Sequence, residues 1–149
     1  MREILFRGKR TSYPYEGWAE GSLLCVDGHC MILEKENDDN GYCYPYINAE
    51  DGIVDGILTT VDPETVGQYT GLTDKNGKKI FEGDILRNVI TTNGVVVTGV
   101  VSYADGAFGV KSNRGAIFLA FFENCEAIGN IHDNPELLNG GAEDDHQGT

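Results

Sequence analysis

The 149-residue chain predicts a mainly β fold. Three observations carry that prediction. Twenty glycines against four prolines mark many tight turns. The dipeptide Asp27-Gly28 separates two apolar runs, "SLLCV" and "HCMIL", which is the pattern of a two-residue hairpin. From Asp84 onward, five apolar stretches of strand length alternate with turn residues. A chain of this size makes one domain or two small modules, and buries roughly 70% of the surface its unfolded form exposes.

Residues 2–7 set Ile4 and Phe6 against Glu3, Leu5 and Arg7, the alternation of a strand. "TSYPYEG" is a turn and "WAEGSLLCV" a second strand. In the two-residue hairpin register Val26 faces His29, and Cys25 faces Cys30. "EKENDDNG" is a polar loop, and "YCYPYI" is a strand that Pro45 confines to an edge. After "DGILTTV", Asp62 caps one helical turn with Pro63 at its first position. "DILRNVI", "VVVTGVVSY", "AFGVKS", "AIFLAFF" and "CEAIGNI" are the five strands of the second half. Asn93-Gly94, Asp105-Gly106, Asn113-Arg114-Gly115 and Glu123-Asn124 turn the chain between them. Short strands joined this tightly suit a small, bent SH3-like barrel. The predicted organisation is an N-terminal β subdomain over 1–66, the barrel over 67–132 and a short helical turn over 133–138. Residues 139–149 form a disordered acidic tail, and 1–138 make one structural unit.

The net charge of −13 comes from 24 acidic against 11 basic side chains. It favours solubility and opposes sequence-independent binding to phosphate backbones. Four basic residues, Arg2, Arg7, Lys9 and Arg10, sit near the N-terminus and three, Lys75, Lys78 and Lys79, in one turn, so nucleic-acid binding is left only to a local patch. No apolar run approaches the roughly eighteen residues of a membrane span, and the charged N-terminus is no signal sequence. The expected location is therefore the cytoplasm, with Cys25, Cys30, Cys43 and Cys125 as reduced thiols.

No reactive constellation stands out. "DKNGKKIFEGDI" starts like a calcium loop, but Lys78 and Lys79 fall where a ligand and the turn glycine belong. Cys25, His29, Cys30 and Cys43 have no zinc-site spacing, and the hairpin register points His29 away from the two cysteines beside it. No nucleophile elbow or phosphate-binding loop is present. The aromatic residues Tyr42, Tyr44 and Tyr46 share one strand face, which reads as half-buried packing rather than a stacking platform. The expectation is no enzyme, with no catalytic, cofactor or metal residues.

The stretch "VGQYTGLTDKNGKKIFEGDIL", residues 66–86, is the densest in unusual residues. Gly67, Gln68, Tyr69 and Gly71 lie on a short glycine-punctuated strand. Asp74 and Gly77 bound a turn that needs positive φ. Gly83 and Asp84 start the first barrel strand. Each has a backbone reason, so the segment reads as a structural junction.

"RGKR", "GWAEGSLL", "VDPETVGQYTGLTDKNGKKIFEGDIL" and "IGNIHDNPELL" together resemble the YopX family of small bacteriophage and prophage proteins. The resemblance implies a β-rich fold with an SH3-like barrel, no established enzymatic activity and no cofactor. The expected function is thus that of an accessory phage protein in the bacterial host cytoplasm, acting by binding. Its partner would be a protein or a second copy of the chain. The alternative is a nucleic-acid-associated protein using the basic N-terminal strand. "AIFLAFF" is apolar at both alternating sets; one set fills the barrel and the other needs cover from the N-terminal strands or from another chain, which predicts a homo-oligomer.

Overall fold

The computed structural model describes residues 2–11, 16–34, 46–48, 55–90 and 94–138. The chain divides into two compact units, Met1–Gln68 and Tyr69–Thr149. The predicted class holds: the molecule is mainly β, and the strand pairings among the described residues are antiparallel.

The first unit contains β1 (Phe6–Lys9), β2 (Trp18–Val26), β3 (His29–Glu34), β4 (Tyr46–Asn48) and β5 (Asp55–Val61), in the order β4-β5-β3-β2-β1. β1 pairs in turn with Gly67 and Gln68, the first residues of β6 (Gly67–Thr73). The hairpin β2–β3 has the register expected from its turn, Val26 opposite His29 and Cys25 opposite Cys30. Asp27 and Gly28 both take positive φ, 50° and 79°. β4 follows Pro45 directly and is an edge strand among the described residues. The inner face of the sheet carries Ala19, Cys30, Ile32 and Val61, with Phe6, Leu23 and Val66 packed against them. Gly8 lets β1 lie on this cluster, since a Cβ there would come within 2.8 Å of the Val61 side chain. Asp62 then caps a 3-10 turn at Pro63–Thr65, its carboxylate accepting from the Glu64 N–H at 3.0 Å.

One expectation is corrected here. Cys25 and Cys30 are joined by a disulfide and are not free thiols. The turn sets the two residues directly opposite each other with Cα atoms 4.2 Å apart. This cross-strand pairing places the two sulfurs within bonding reach. Cys125 is a free, buried cysteine, and Cys43 lies outside the described residues. Burial pushes the Cys125 thiol pKa up; a backbone hydrogen bond opposes the rise and the charge of Asp74 adds to it. The sequence separation of 5 makes the disulfide loop short, and the turn already holds the pair together. Reduction is therefore expected to lower stability by at most about 2 kcal/mol. Urea melts with and without a dithiol reductant measure this. In the reduced, folded protein an alkylating reagent should label the exposed Cys25 and spare Cys125; labelling of Cys125 at an equal rate would contradict its burial.

In the second unit the rest of β6 pairs with β7 (Lys79–Phe81). A five-stranded sheet follows, made of β8 (Asp84–Ile90), β9 (Val95–Ala104), β10 (Ala107–Ser112), β11 (Gly115–Phe118) and β12 (Glu126–Asn130). Its order is β11-β10-β9-β8-β12, a meander whose last strand returns to the first. The ladder ends at β11 and β12 among the described residues, so the expected barrel does not close. The core is Ile80, Leu86, Val101, Val110, Leu119, Phe122 and Cys125, with Val97, Phe108 and Ala127 half-buried against it. "AIFLAFF" is not one strand. It breaks after Phe118 into a 3-10 turn, Leu119–Phe121, which sends Leu119 and Phe122 into the core. The two-faced strand behind the expected oligomer is therefore absent in that form. A helical turn ends the described chain at residues 136–138, within the predicted 133–138. The tail predicted at 139–149 lies outside the described residues. Among the described residues no helix is long and apolar enough to cross a membrane.

Candidate functional site

The carboxylates and glycines of the 66–86 stretch all fall in the described structure. Gly67 and Gln68 pair with Arg7 and Phe6 of β1. Tyr69 is buried, its ring 5.5 Å from that of Phe81, with the Lys79 ammonium 5.6 Å from its centroid. Between Tyr69 and Thr73 the β6–β7 register slips, and Gly71 takes φ of 86°. Thr70 closes this irregularity: its hydroxyl donates to the Ile80 carbonyl at 2.8 Å and accepts from the Leu72 N–H at 3.2 Å.

Asp74 organises the turn that follows. Its Oδ1 accepts from the N–H groups of Asn76 and Lys78, both at 2.9 Å. Its Oδ2 accepts from the Ala127 N–H of β12 at 3.0 Å. One buried carboxylate thus holds both its own turn and a strand 53 residues away. Burial pushes its pKa up, but the three N–H donors and the nearby Lys78 charge outweigh burial and hold it below the usual carboxylate value. Gly77, at φ of 81°, donates its N–H to the Asp74 carbonyl at 3.0 Å. Asp84 is 1% exposed, and its Oδ2 accepts from the Phe81 N–H at 2.8 Å. Gly83, at φ of 85°, donates to the Val101 carbonyl and accepts from the Ile131 N–H, both at 2.9 Å. The arrangement stabilises backbone and bends the chain. Both carboxylate oxygens of Asp74 and the Oδ2 of Asp84 accept from main-chain N–H groups. Among the described residues no three His, Cys, Asp or Glu side chains form a metal-holding group.

A second polar centre has no counterpart in the sequence reading. Asn130 is buried at the end of β12. Its Oδ1 accepts from the N–H groups of His132 and Asp133 at 3.0 and 2.9 Å, and its amide donates to the Asp133 carboxylate at 3.1 Å. The signal that could have found it is Asn130 followed by His132 and Asp133, the local pattern of an Asx turn.

Of the four basic N-terminal residues, Arg7, Lys9 and Arg10 contact neighbours within the first unit, Lys9 with its ammonium 5.9 Å from the Trp18 ring centroid, and Arg2 is exposed. Arg7 is buried with its guanidinium 4.6 Å from the Trp18 ring centroid, a cation–π contact. Arg10 forms an ion pair with Glu34 at 2.6 Å and donates to the Glu16 carbonyl. Tyr42 and Tyr44 lie outside the described residues, and Tyr46 begins β4.

What the second unit does present is β11. Ile117 is 43% and Phe118 60% exposed at this terminal strand of the sheet. Tyr103, also exposed, lies two strands in, with its ring 5.1 Å from Phe108.

A family model described as YopX protein matches residues 20–139. The chain belongs to the YopX family. The matched YopX region contains the Asp74 turn, β11 and Asn130, and leaves Arg7, Lys9 and Arg10 outside it. The chain is also similar to the crystal structure of protein EF1440 from Enterococcus faecalis, at 25% identity and a TM-score of 0.55. That similarity covers 93% of this chain and 99% of the other. No curated protein matches.

Proposed function

We propose that this YopX protein is a phage or prophage accessory protein that acts in the bacterial cytoplasm by binding another protein, without catalysis. The observation that carries the reading is the exposure of Ile117 and Phe118 on a terminal strand. Large apolar side chains grouped at a sheet edge mark an interaction surface or an aggregation hazard. The absence of catalysis is supported by the use of Asp74 and Asp84, whose carboxylates accept from backbone N–H groups. A protein partner is preferred to nucleic acid because Arg7 and Arg10 are committed to Trp18 and Glu34.

The test is quantitative affinity capture from induced or infected host cells, with wild-type and Phe118→Asp baits run side by side. The expected result is a protein recovered at least about tenfold less by the variant, as the loss of a central interface aromatic implies. Equal recovery by both baits would remove β11 as the binding surface. Retention on labelled DNA that weakens steeply with salt would favour the nucleic-acid alternative instead.

A further inference from the structure

We propose that Cys25 and Cys30 form a reversible redox pair, in which Cys25 exchanges with external disulfides and Cys30 resolves the adduct. The ladder makes the two sulfurs unequal. Cys30 lies on β3, between Cys25 of β2 and Val61 of β5, and belongs to the buried cluster with Ala19 and Ile32. It is 7% exposed. Cys25 lies on β2 beyond Gly21, where the pairing with β1 ends, so no described strand flanks its outer side. It is exposed, and so are its neighbours Leu24 and Val26. An incoming thiol or disulfide therefore meets Cys25 first. The turn supplies the second half of the pair. A two-residue turn makes Val26 and His29 a hydrogen-bonded pair, which puts Cys25 and Cys30 in the closer, non-hydrogen-bonded pair next to it. Their Cα separation of 4.2 Å fits that placement. Cys30 is thus already beside any adduct that forms on Cys25, and resolution is intramolecular.

The exchange balances with one external disulfide, of the low-molecular-weight class that glutathione disulfide represents. The Cys25 thiolate attacks one of its sulfurs, the external S–S bond breaks, and one thiolate leaves with the electron pair. The Cys30 thiol gives its proton to water and attacks Cys25 Sγ. The Cys25–Cys30 bond forms as the second external thiolate departs. Each released thiolate takes up one proton, so the protein has lost two electrons and two protons and the external disulfide has become two thiols. A dithiol reductant reverses the sequence, entering at Cys25 and releasing Cys30 as the leaving thiolate. What changes in the molecule is the end of the hairpin. The bond ties an exposed residue of β2 to a buried one of β3, and without it the next pair, Leu24 and Met31, is held by main chain and packing alone. The pair belongs to the first unit and β11 to the second, so this chemistry does not depend on the binding reading.

The experiment uses the full chain carrying Cys43→Ser, which leaves Cys25, Cys30 and Cys125. That protein, and versions with Cys25→Ser or Cys30→Ser added, are reduced, freed of reductant and mixed with glutathione disulfide. Reaction is stopped with acid at set times, and the modified cysteines are mapped by mass spectrometry. The Cys30→Ser protein should hold glutathione on Cys25. The Cys25→Ser protein should gain it on Cys30 at least about tenfold more slowly, since reaction there waits for local opening. With both cysteines present, the first adduct should be on Cys25 and should pass to the Cys25–Cys30 disulfide without accumulating. Amide exchange at Leu24 and Met31 should be on the order of tenfold faster in the reduced protein, with Ile32 unchanged. Equal rates in the two variants, a first adduct on Cys30, or an adduct that persists with both cysteines present would each overturn the proposal. Melting curves check that the variants fold, and where one does not, the order of adducts in the protein with both cysteines decides. Exchange at Leu24 and Met31 that ignores the redox state would overturn the bond's hold on the hairpin end.

Discussion

Asp74→Asn is expected to lower folding stability by about 2–3 kcal/mol at neutral pH, although it removes a single negative charge from a strongly acidic protein. The amide oxygen can still accept from Asn76 and Lys78. The amide nitrogen, however, takes the place of Oδ2 and presents a donor to the Ala127 N–H. Two buried donors then face each other, and the link from the turn to β12 is lost. The pH dependence gives the sign. The folded-state pKa of Asp74 is lowered from its ordinary 3.8. Its contribution is therefore complete above that value and is lost as pH falls through the folded pKa. The stability gap between wild type and variant should be widest at neutral pH and narrow below about pH 4. Urea denaturation of both proteins from pH 7 to pH 3 measures it, since every other carboxylate titrates in both. A gap that stays constant over that range would show that the ionised carboxylate is not what holds the turn.

The same residue shows what a sequence can and cannot disclose. That Asp74 and Gly77 bound a turn is legible from residue type, because few residues tolerate positive φ and few cap a turn. That the second carboxylate oxygen reaches Ala127 is not legible, because the partner is 53 residues away and only the sheet brings it near. The β2–β3 register is readable to the residue, since a two-residue turn leaves one pairing. The pairing makes the disulfide within it possible, while reasoning from the cellular compartment points to free thiols and misses it. β11 is the most instructive case. A short apolar run bounded by turn residues predicts a strand through "AIFLAFF", and the strand does start. Leu119 and Phe122 reach the core through a 3-10 turn, so they enter the same cluster three residues apart. Period two and period three are indistinguishable in a run with no polar residue. What decides between them is where the core lies. That choice leaves Ile117 and Phe118 exposed, and the candidate site follows from it.

Gly21→Ala is expected to be the most damaging single-methyl substitution in the first unit, costing about 3 kcal/mol or more, in the upper range for overpacking. Gly21 lies inside β2, opposite Phe6 of β1. A Cβ built there would overlap the Leu33 carbonyl oxygen and come within 3.1 Å of the Ile32 side chain. The obstruction is backbone, so no rotamer relieves it, and the β2–β3 ladder must move at the pair Ser22 and Leu33. Gly28 supplies the contrast. It stands at φ of 79° with nothing within 4 Å of a methyl added there. Gly28→Ala therefore costs only conformational strain, roughly 1 kcal/mol. If glycine serves space at position 21 and backbone freedom at position 28, the first variant should lose several times more stability in urea melts. Amide exchange should show protection lost first at Ser22 and Leu33. Equal losses in the two variants would mean that β2 and β3 can part slightly at no great cost, and that the tight approach at Gly21 contributes little to holding Ile32 in the core.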